Sequence, residues 1–448
     1  MADSRNWGGR SLPVLDERLW FALVVVVSAL VRLGLWLVYP LTVNNDSPTY
    51  LQLARNILNN GFSAYNATRT PGYPLFLAYT GDWVYPAQLG LGMATTILVY
   101  YIASRLSGRA WFGALAALLH TLNIGQLFFE ATLLTETLTT FLVMAALGAA
   151  IAIIVENHSI PMLVFFAFLA GLSASLAGMV RPLFVYLPVL ISIFCLAIRK
   201  ISLPKRAALA VAVLVPAVLI FGWWLNFVNS NYKILSFDTI GGFRWLNHTG
   251  EYFEYVPDSD AIIRDTYIRY RSARIAETGS QSNAAWDAMD ELLNNSRLGF
   301  YGLSRHLTDI SMDLIRAHPD LYLKNVFSGW WMFWWAAVYW SSDMFKAPAL
   351  VPVVRILVLG ERGVMVLANL IFIGGSLASA LWKKARSALG MGLFGWLVLV
   401  TVGAASVLQT LLDHGDNPRY LVPLQTVVLV MVAWWLCQIF IKWNAGKR

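Results

Sequence analysis

The sequence predicts an all-α polytopic membrane protein. It should have roughly ten to twelve transmembrane helices, outward-facing juxtamembrane helices and a small, mainly helical extracytoplasmic insert. Three observations carry this. Hydrophobic residues make up 58% of the 448-residue chain and charged residues 13%, where a soluble domain carries about 25% charged. Apolar runs of roughly 20 residues recur, each long enough to cross a ~30 Å hydrocarbon core. Lys and Arg gather at alternate ends of those runs, the pattern of short cytoplasmic loops.

Taken in order, spans are expected near 19–41, 84–104, 110–128, 133–155, 160–178, 182–198, 207–228, 363–381, 388–411 and 420–441. The first reads as an uncleaved anchor, because its apolar run is too long for a signal core and lacks a small-residue cleavage site. Arg5, Arg10 and Arg18 place the N-terminus inside. Arg105, Arg109, Arg199, Lys200, Lys205 and Arg206 fall inside on alternate loops. Lys383, Lys384, Arg386 and the tail Lys442, Lys447 and Arg448 stay inside only if the Trp-rich stretch 326–359 crosses the membrane zero or two times. Four regions follow: a cytoplasmic N-terminus (1–18), a transmembrane module (19–228) with a first outer loop at 42–82, an extracytoplasmic insert (229–325) and a C-terminal transmembrane module (326–448).

The insert carries a net charge of −3 and the remainder +11. The excess of bases sits where the positive-inside rule puts it, with no recognition motif for nucleic acid. Within the insert, helical spacing runs from Asp258 to Ala276 and from Asn283 to Ile315. Gly279 separates the two, and a restart follows at His318-Pro319. Cys195 and Cys437 fall inside expected spans, so no disulfide framework is expected.

The most informative segment is the polar island Asn44-Asn45-Asp46-Ser47-Pro48-Thr49-Tyr50 after the first span. Residues 48–59 read as a helix lying on the membrane, with Ser47 as its cap, Pro48 in its first turn and Gly61 past its end. Leu51, Ala54, Ile57 and Leu58 give it an apolar side. Asp46 then lies just ahead of a helix N-terminus, where free amides favour an anion. It reads either as a local cap or as an acid that orients a hydroxyl or holds a metal. Arg69, with Pro71, Gly72, Tyr73 and Pro74, closes the loop as a turn, facing lipid headgroups or a ligand phosphate.

Glu130 and Glu136 flank the next outer loop, and Glu136 already lies in an apolar run, where ionisable residues tend to line cavities. Arg181 and Arg419 stand at the outer ends of two later spans. A guanidinium fits phosphate oxygens with two prongs, or snorkels to the headgroups. Tyr50, Tyr73, Glu130, His414 and Tyr420 are candidates for the pocket wall. Arg32 either pairs within the bundle or snorkels inward. Asp258-Ser259-Asp260 reads as a loop cap. His248, His306, His318 and His414 show no metal-site spacing such as His-Glu-x-x-His, so a divalent metal is compatible with the acids but specified by none of them.

These motifs, in this order, resemble the GT-C superfamily of polyprenyl-phosphate-dependent glycosyltransferases, which includes protein O-mannosyltransferases and lipid A aminoarabinose transferases. The resemblance rests on Ala29-Leu30-Val31-Arg32-Leu33, on Asp46 to Tyr50 with Ala54, and on Arg69-Thr70-Pro71-Gly72-Tyr73-Pro74. It continues through Leu134-Thr135-Glu136-Thr137, Gly171-Leu172 with Arg181-Pro182, His318-Pro319 and Arg419-Tyr420-Leu421-Val422-Pro423. It implies that Asp46 is the catalytic acid of the first outer loop and Glu136 the acid of the second. A second acid within the first loop has no match, since Asn45 and Ser47 flank Asp46.

With Arg181, Arg419 and Arg69 on the donor phosphate, the implied reaction is inverting transfer of a sugar from a polyprenyl-phosphate donor. The acceptor hydroxyl would belong to a secreted or pilin-like protein, a lipid glycan or a cell-envelope glycan. The implied setting is a bacterial inner membrane, with the site outside and both termini cytoplasmic. The rivals are a transporter or lipid-glycan flippase, and a polymerase or ligase with a diphosphate-linked donor. No inverted repeat of the transporter kind is evident.

Overall fold

Glycine, proline and paired charges shape this bundle as much as its apolar runs do. The computed structural model describes residues 16–156, 158–413 and 417–445. Among them every regular element is helical, apart from one β-bridge between Thr42 and Thr132. The first half comprises α1 (Glu17–Val38), α2 (Ser47–Asn60), α3 (Gly72–Thr80), α4 (Val84–Ser107), α5 (Ala110–Thr121), α6 (Ile124–Glu130), α7 (Glu136–Val155), α8 (Ile160–Val180), α9 (Leu187–Leu196) and α10 (Leu203–Tyr232). The insert contributes α11 (Gly241–Thr249), α12 (Ala261–Thr278), α13 (Ala284–Asp287), α14 (Met289–Ser296) and α15 (Phe300–Ala317). Then come α16 (Pro319–Phe333), α17 (Val351–Leu381), α18 (Lys383–Ala388), α19 (Leu393–Leu412) and α20 (Asn417–Ala445).

All ten expected segments fall in apolar helices. Eight are long and apolar enough to cross a membrane; α5 and α6 form a pair bent by 61°, and Pro182–Leu196 is apolar but shorter. The bend has a local cause. Asn123 accepts from the Gln126 amide at 2.8 Å, and Glu361 of α17 accepts from the Ile124 and Gly125 amides at 2.6 and 2.9 Å. Glu361 thus explains a charge inside a membrane helix: it caps another helix that starts within the bundle. The stretch 326–359 holds no spanning helix of its own. Beyond α16 the chain has only two short 3-10 turns, Ser342–Met344 and Pro348–Leu350, before α17, which starts at Val351 rather than near 363, because the Gly360-Glu361-Arg362 dip in hydropathy hides its first turns.

The core of the bundle is α7, most of it buried against α4, α8 and α20. Helices α8 and α10 approach closely: a Cβ on Gly171 would lie 2.0 Å from the Val213 carbonyl. Small residues let backbones approach in this way, and dispersion rather than hydrophobicity then holds helices together in lipid.

Arg32 pairs within the bundle. Its Nε and Nη2 donate to the two oxygens of Glu130 at 2.8 and 2.7 Å, and its Nη1 donates to Ser28 at 2.5 Å. Both side chains are buried. Glu130 is therefore a structural partner of Arg32 and not part of a pocket wall, which corrects the expectation from sequence. Glu130→Gln should destabilise the protein by about 3–5 kcal/mol, because it leaves a buried guanidinium without its counter-charge. Thermal unfolding in detergent checks this, and an Arg32→Met/Glu130→Leu double variant should recover most of the loss.

The insert has its own core, including Phe243, Leu246, Phe253, Tyr267, Leu292, Leu303 and Leu307. Gly279, at φ +73°, ends α12 as expected. The second expected helix is instead three helices: a break at Ala288 separates α13 from α14, and Arg297 at positive φ ends α14. Asp258 and Asp260 serve local structure, pairing with Arg264 at 2.8 Å and His306 at 2.6 Å. Cys195 and Cys437 are free.

Candidate active site

The loop carrying Asp46 and the strand-like stretch leading to Glu136 hold one another in place. The Thr42 amide donates to the Ala131 carbonyl at 2.8 Å, and the Leu133 amide donates to the Thr42 carbonyl at 2.9 Å. Ser47 does not cap α2. Its hydroxyl donates to the Leu133 carbonyl at 2.8 Å and accepts from the Asn44 amide at 2.8 Å. Asp46 occupies the N-cap position of α2, yet its carboxylate makes no capping bond. It is free for other partners. On α2, Ala54 is buried and Leu51 and Ile57 are partly buried, as expected, joined by Leu53, whereas Leu58 is 62% exposed.

Three more elements bring guanidiniums to this point. The Pro71-Gly72 turn presses against the end of α8; a Cβ on Gly72 would lie 2.6 Å from the Met179 carbonyl. That contact sets Arg69, whose own carbonyl accepts from the Tyr65 hydroxyl at 3.0 Å. Pro182 stops α8 and leaves Arg181 in an extended conformation. Arg419 stands in the first turn of α20, just after Pro418. Gly72→Ala should push the Arg69 turn off α8, costing about 1–3 kcal/mol. Thermal unfolding of the variant in detergent checks this.

The four elements meet around two acids. Arg419 Nη1 donates to Asp46 Oδ2 at 2.7 Å while its Nε donates to Glu136 Oε1. Arg69 Nη2 donates to Asp46 Oδ1 at 3.1 Å, and Arg181 Nη1 to Glu136 Oε1 at 3.2 Å. Glu136 is fully buried at the start of α7, where the helix dipole favours its charge, and its Oε2 has no hydrogen-bond partner. Arg181 lies over the Tyr420 ring at 4.8 Å and Arg69 near the Tyr50 ring at 5.8 Å.

Burial alone would raise the Asp46 carboxyl. Arg69 and Arg419, with the hydrogen bond from Arg419, outweigh burial and hold it at about 2, against an ordinary value of 3.8. A carboxyl lowered in the folded state contributes stability that is full above its unfolded value and lost as pH falls through the folded one. The stability difference between wild type and Asp46→Asn should therefore be flat from about pH 7 to 5 and shrink below about 4. Thermal unfolding across that range tests the sign.

These groups bound a cavity of about 580 Å³. Asp46, Arg69, Arg181, Arg419, Tyr50 and Tyr420 line it. Tyr73 does not; it is buried behind Tyr50, edge-on at 5.2 Å, and donates to Gln88 at 2.8 Å. Glu136 stands directly behind Arg181 and Arg419, and Glu130 is remote in its pair with Arg32. His414 lies outside the described residues.

Sequence reasoning missed Phe243, Arg244, Asn247 and Trp286 of the insert, together with Tyr339 and Asp413, all of which line the cavity. The signal available for them was a cation beside apolar residues, Phe243-Arg244-Trp245, opening a polar insert. Among the described residues no three His, Cys, Asp or Glu side chains cluster as metal ligands. Both oxygens of Asp46 and one of Glu136 accept from guanidiniums.

No family model and no curated protein matches the chain. Among solved structures it is similar to the Archaeoglobus fulgidus oligosaccharyltransferase AglB in complex with an inhibitory peptide and a dolichol-phosphate, at 16% identity and TM-score 0.52. That match covers 96% of this chain and 51% of that one. The apo form gives 15% identity, TM-score 0.52 and 96% and 52% coverage. ArnT from Cupriavidus metallidurans bound to undecaprenyl phosphate gives 12% identity, TM-score 0.40 and 93% and 78% coverage. The chain spans about half the length of the archaeal enzyme. At this identity the likeness is one of fold alone: the chain shares the membrane architecture of the archaeal oligosaccharyltransferase structures.

Proposed function

We propose that this chain is an integral-membrane glycosyltransferase that moves a sugar from a polyprenyl-phosphate donor to an acceptor hydroxyl, with inversion at the anomeric carbon. The observation that carries the reading is Arg419, which spans Asp46 and Glu136 at the floor of a cavity also lined by Arg69 and Arg181. Such a set offers one acid at the edge of an arginine cluster, with a second acid fixing the cluster from behind.

In the proposed reaction the acceptor oxygen forms a bond to the anomeric carbon as the bond from that carbon to the phosphate oxygen breaks. The phosphate leaves with the bonding electrons, and Arg181 and Arg419 stabilise its growing charge, as preorganised cations do. Asp46 takes the acceptor proton. A carboxylate held at low basicity accepts that proton late, so its earlier task is to orient the hydroxyl. Glu136 keeps both arginines in place. The bias of Lys and Arg supports a site on the extracytoplasmic face with cytoplasmic termini. A bacterial inner membrane is the setting that the resemblance favours.

The test is product analysis with a labelled polyprenyl-phosphate sugar of known anomeric configuration. The expected products are the inverted glycoside and polyprenyl monophosphate. Retention at the anomeric carbon would overturn direct displacement, and turnover confined to diphosphate-linked donors would move the chain to the polymerase or ligase class.

A further inference from the structure

The insert half of the cavity has a chemistry that donor phosphate binding does not use. Arg244 lies in the first turns of α11 and lines the cavity. Its Nη1 is fixed at 2.7 Å by Asp238, which is buried and also accepts from the Ile240 amide at 3.2 Å. One edge of the guanidinium is thus anchored from behind, and the side chain remains 31% exposed. One turn on, Asn247 also lines the cavity and donates to Asp413 at 2.9 Å. Beside them Trp286 stacks on Phe243, with centroids 5.0 Å apart and planes at 19°, and both rings line the wall.

Charge makes the same point. Among the described residues the lining presents four guanidiniums and two carboxylates, while Glu136 and Asp238 stand behind the arginines that they anchor. The four carboxylates balance the four guanidiniums, and a phosphate at Arg181 and Arg419 leaves the exposed part of Arg244 unused. An aromatic face beside an anchored guanidinium and an amide suits a pyranose ring that carries an anion.

We infer that Arg244, Asn247, Phe243 and Trp286 form a subsite for an acidic sugar, bearing a carboxylate or a phosphate. As a substrate class this rests on the glycosyl-transfer reading of the same cavity; as a binding site it stands apart from it. The acidic sugar is either the residue transferred or part of the acceptor glycan.

The test begins with binding, by saturation-transfer NMR on the purified full chain with methyl glucuronoside, glucose 6-phosphate and neutral methyl glucoside. Wild type should favour at least one acidic probe by roughly tenfold, and Arg244→Gln should lose that preference. Because Arg244→Gln strands a buried acid, the double variant Arg244→Gln/Asp238→Asn removes both charges, and should likewise lose the preference while folding. Trp286→Ala should weaken all three probes. Donor hydrolysis and transfer then separate the sources. A raised KM for an acidic donor over a neutral one in Arg244→Gln places the anion on the transferred sugar. A raised KM confined to an acidic acceptor places it there.

Equal binding of acidic and neutral probes by wild type would overturn the subsite, as would a preference that persists in the folded double variant. If the Arg244-dependent preference is found but no polyprenyl-phosphate sugar is turned over, the subsite stands and the glycosyl-transfer reading falls.

Discussion

Asp46→Asn should lower kcat by about 10²–10⁴-fold and leave the donor KM nearly unchanged. The substitution is close to isosteric, so the amide still fits between Arg69 and Arg419. In the proposed reaction it removes the negative charge that would orient an acceptor hydroxyl and receive its proton. The ion pairs of Asp46 are partly exposed, and its carboxylate does not cap α2, so the fold should survive. A loss of turnover in a variant that still unfolds cooperatively, at the lowered stability expected at neutral pH, therefore separates chemistry from structure. Steady-state kinetics with and without acceptor sharpen the point. If Asp46 serves the acceptor, slow donor hydrolysis by water should fall less than transfer does.

Arg419→Gln has the second large expected effect, and it acts on both rate and stability. Arg419 joins the two acids: one guanidinium donates to Asp46 and to fully buried Glu136. Without it, Glu136 keeps its bond from Arg181, and in the proposed reaction the leaving phosphate would lose one of its cations. The expected loss is about 10²–10³-fold in kcat, together with about 3–5 kcal/mol of stability from breaking a buried pair. Arg419→Lys should recover more stability than rate. A lysine restores the charge, but a single ammonium cannot hold two carboxylates and a phosphate in fixed geometry. If Arg419→Gln kept full turnover, phosphate stabilisation would have to come from elsewhere in the cavity.

The spanning architecture could be read from the chain because a bilayer demands long apolar runs whatever the tertiary contacts. The apolar stretches at 133–155 and 160–178 became α7 and α8 almost residue for residue. What hydropathy could not show is how polar groups find partners within the bundle. The bend between α5 and α6 depends on Glu361, more than 200 residues away in sequence. Glu130 seemed a loop acid because its partner, Arg32, lies in another helix.

The candidate site divides in the same way. Asp46, Glu136, Arg181 and Arg419 were visible because charge at a membrane rim is costly and stands out against apolar neighbours. Arg244 and Asn247 were hidden because a polar residue in a polar insert carries no such contrast. Only the packing of α11 over the cavity reveals them. Tyr73 erred in the opposite direction: it stands beside the right residues in sequence, but α3 turns it inward onto Gln88.

The most direct test of the central claim is single-turnover release of labelled sugar from a polyprenyl-phosphate donor by the purified full chain in detergent. The account predicts release with formation of polyprenyl monophosphate, accelerated by an acceptor hydroxyl and dependent on the arginines at the cavity floor. A folded protein that binds the lipid but releases no sugar from any monophosphate donor would contradict it. Attention would then turn to movement of the lipid itself.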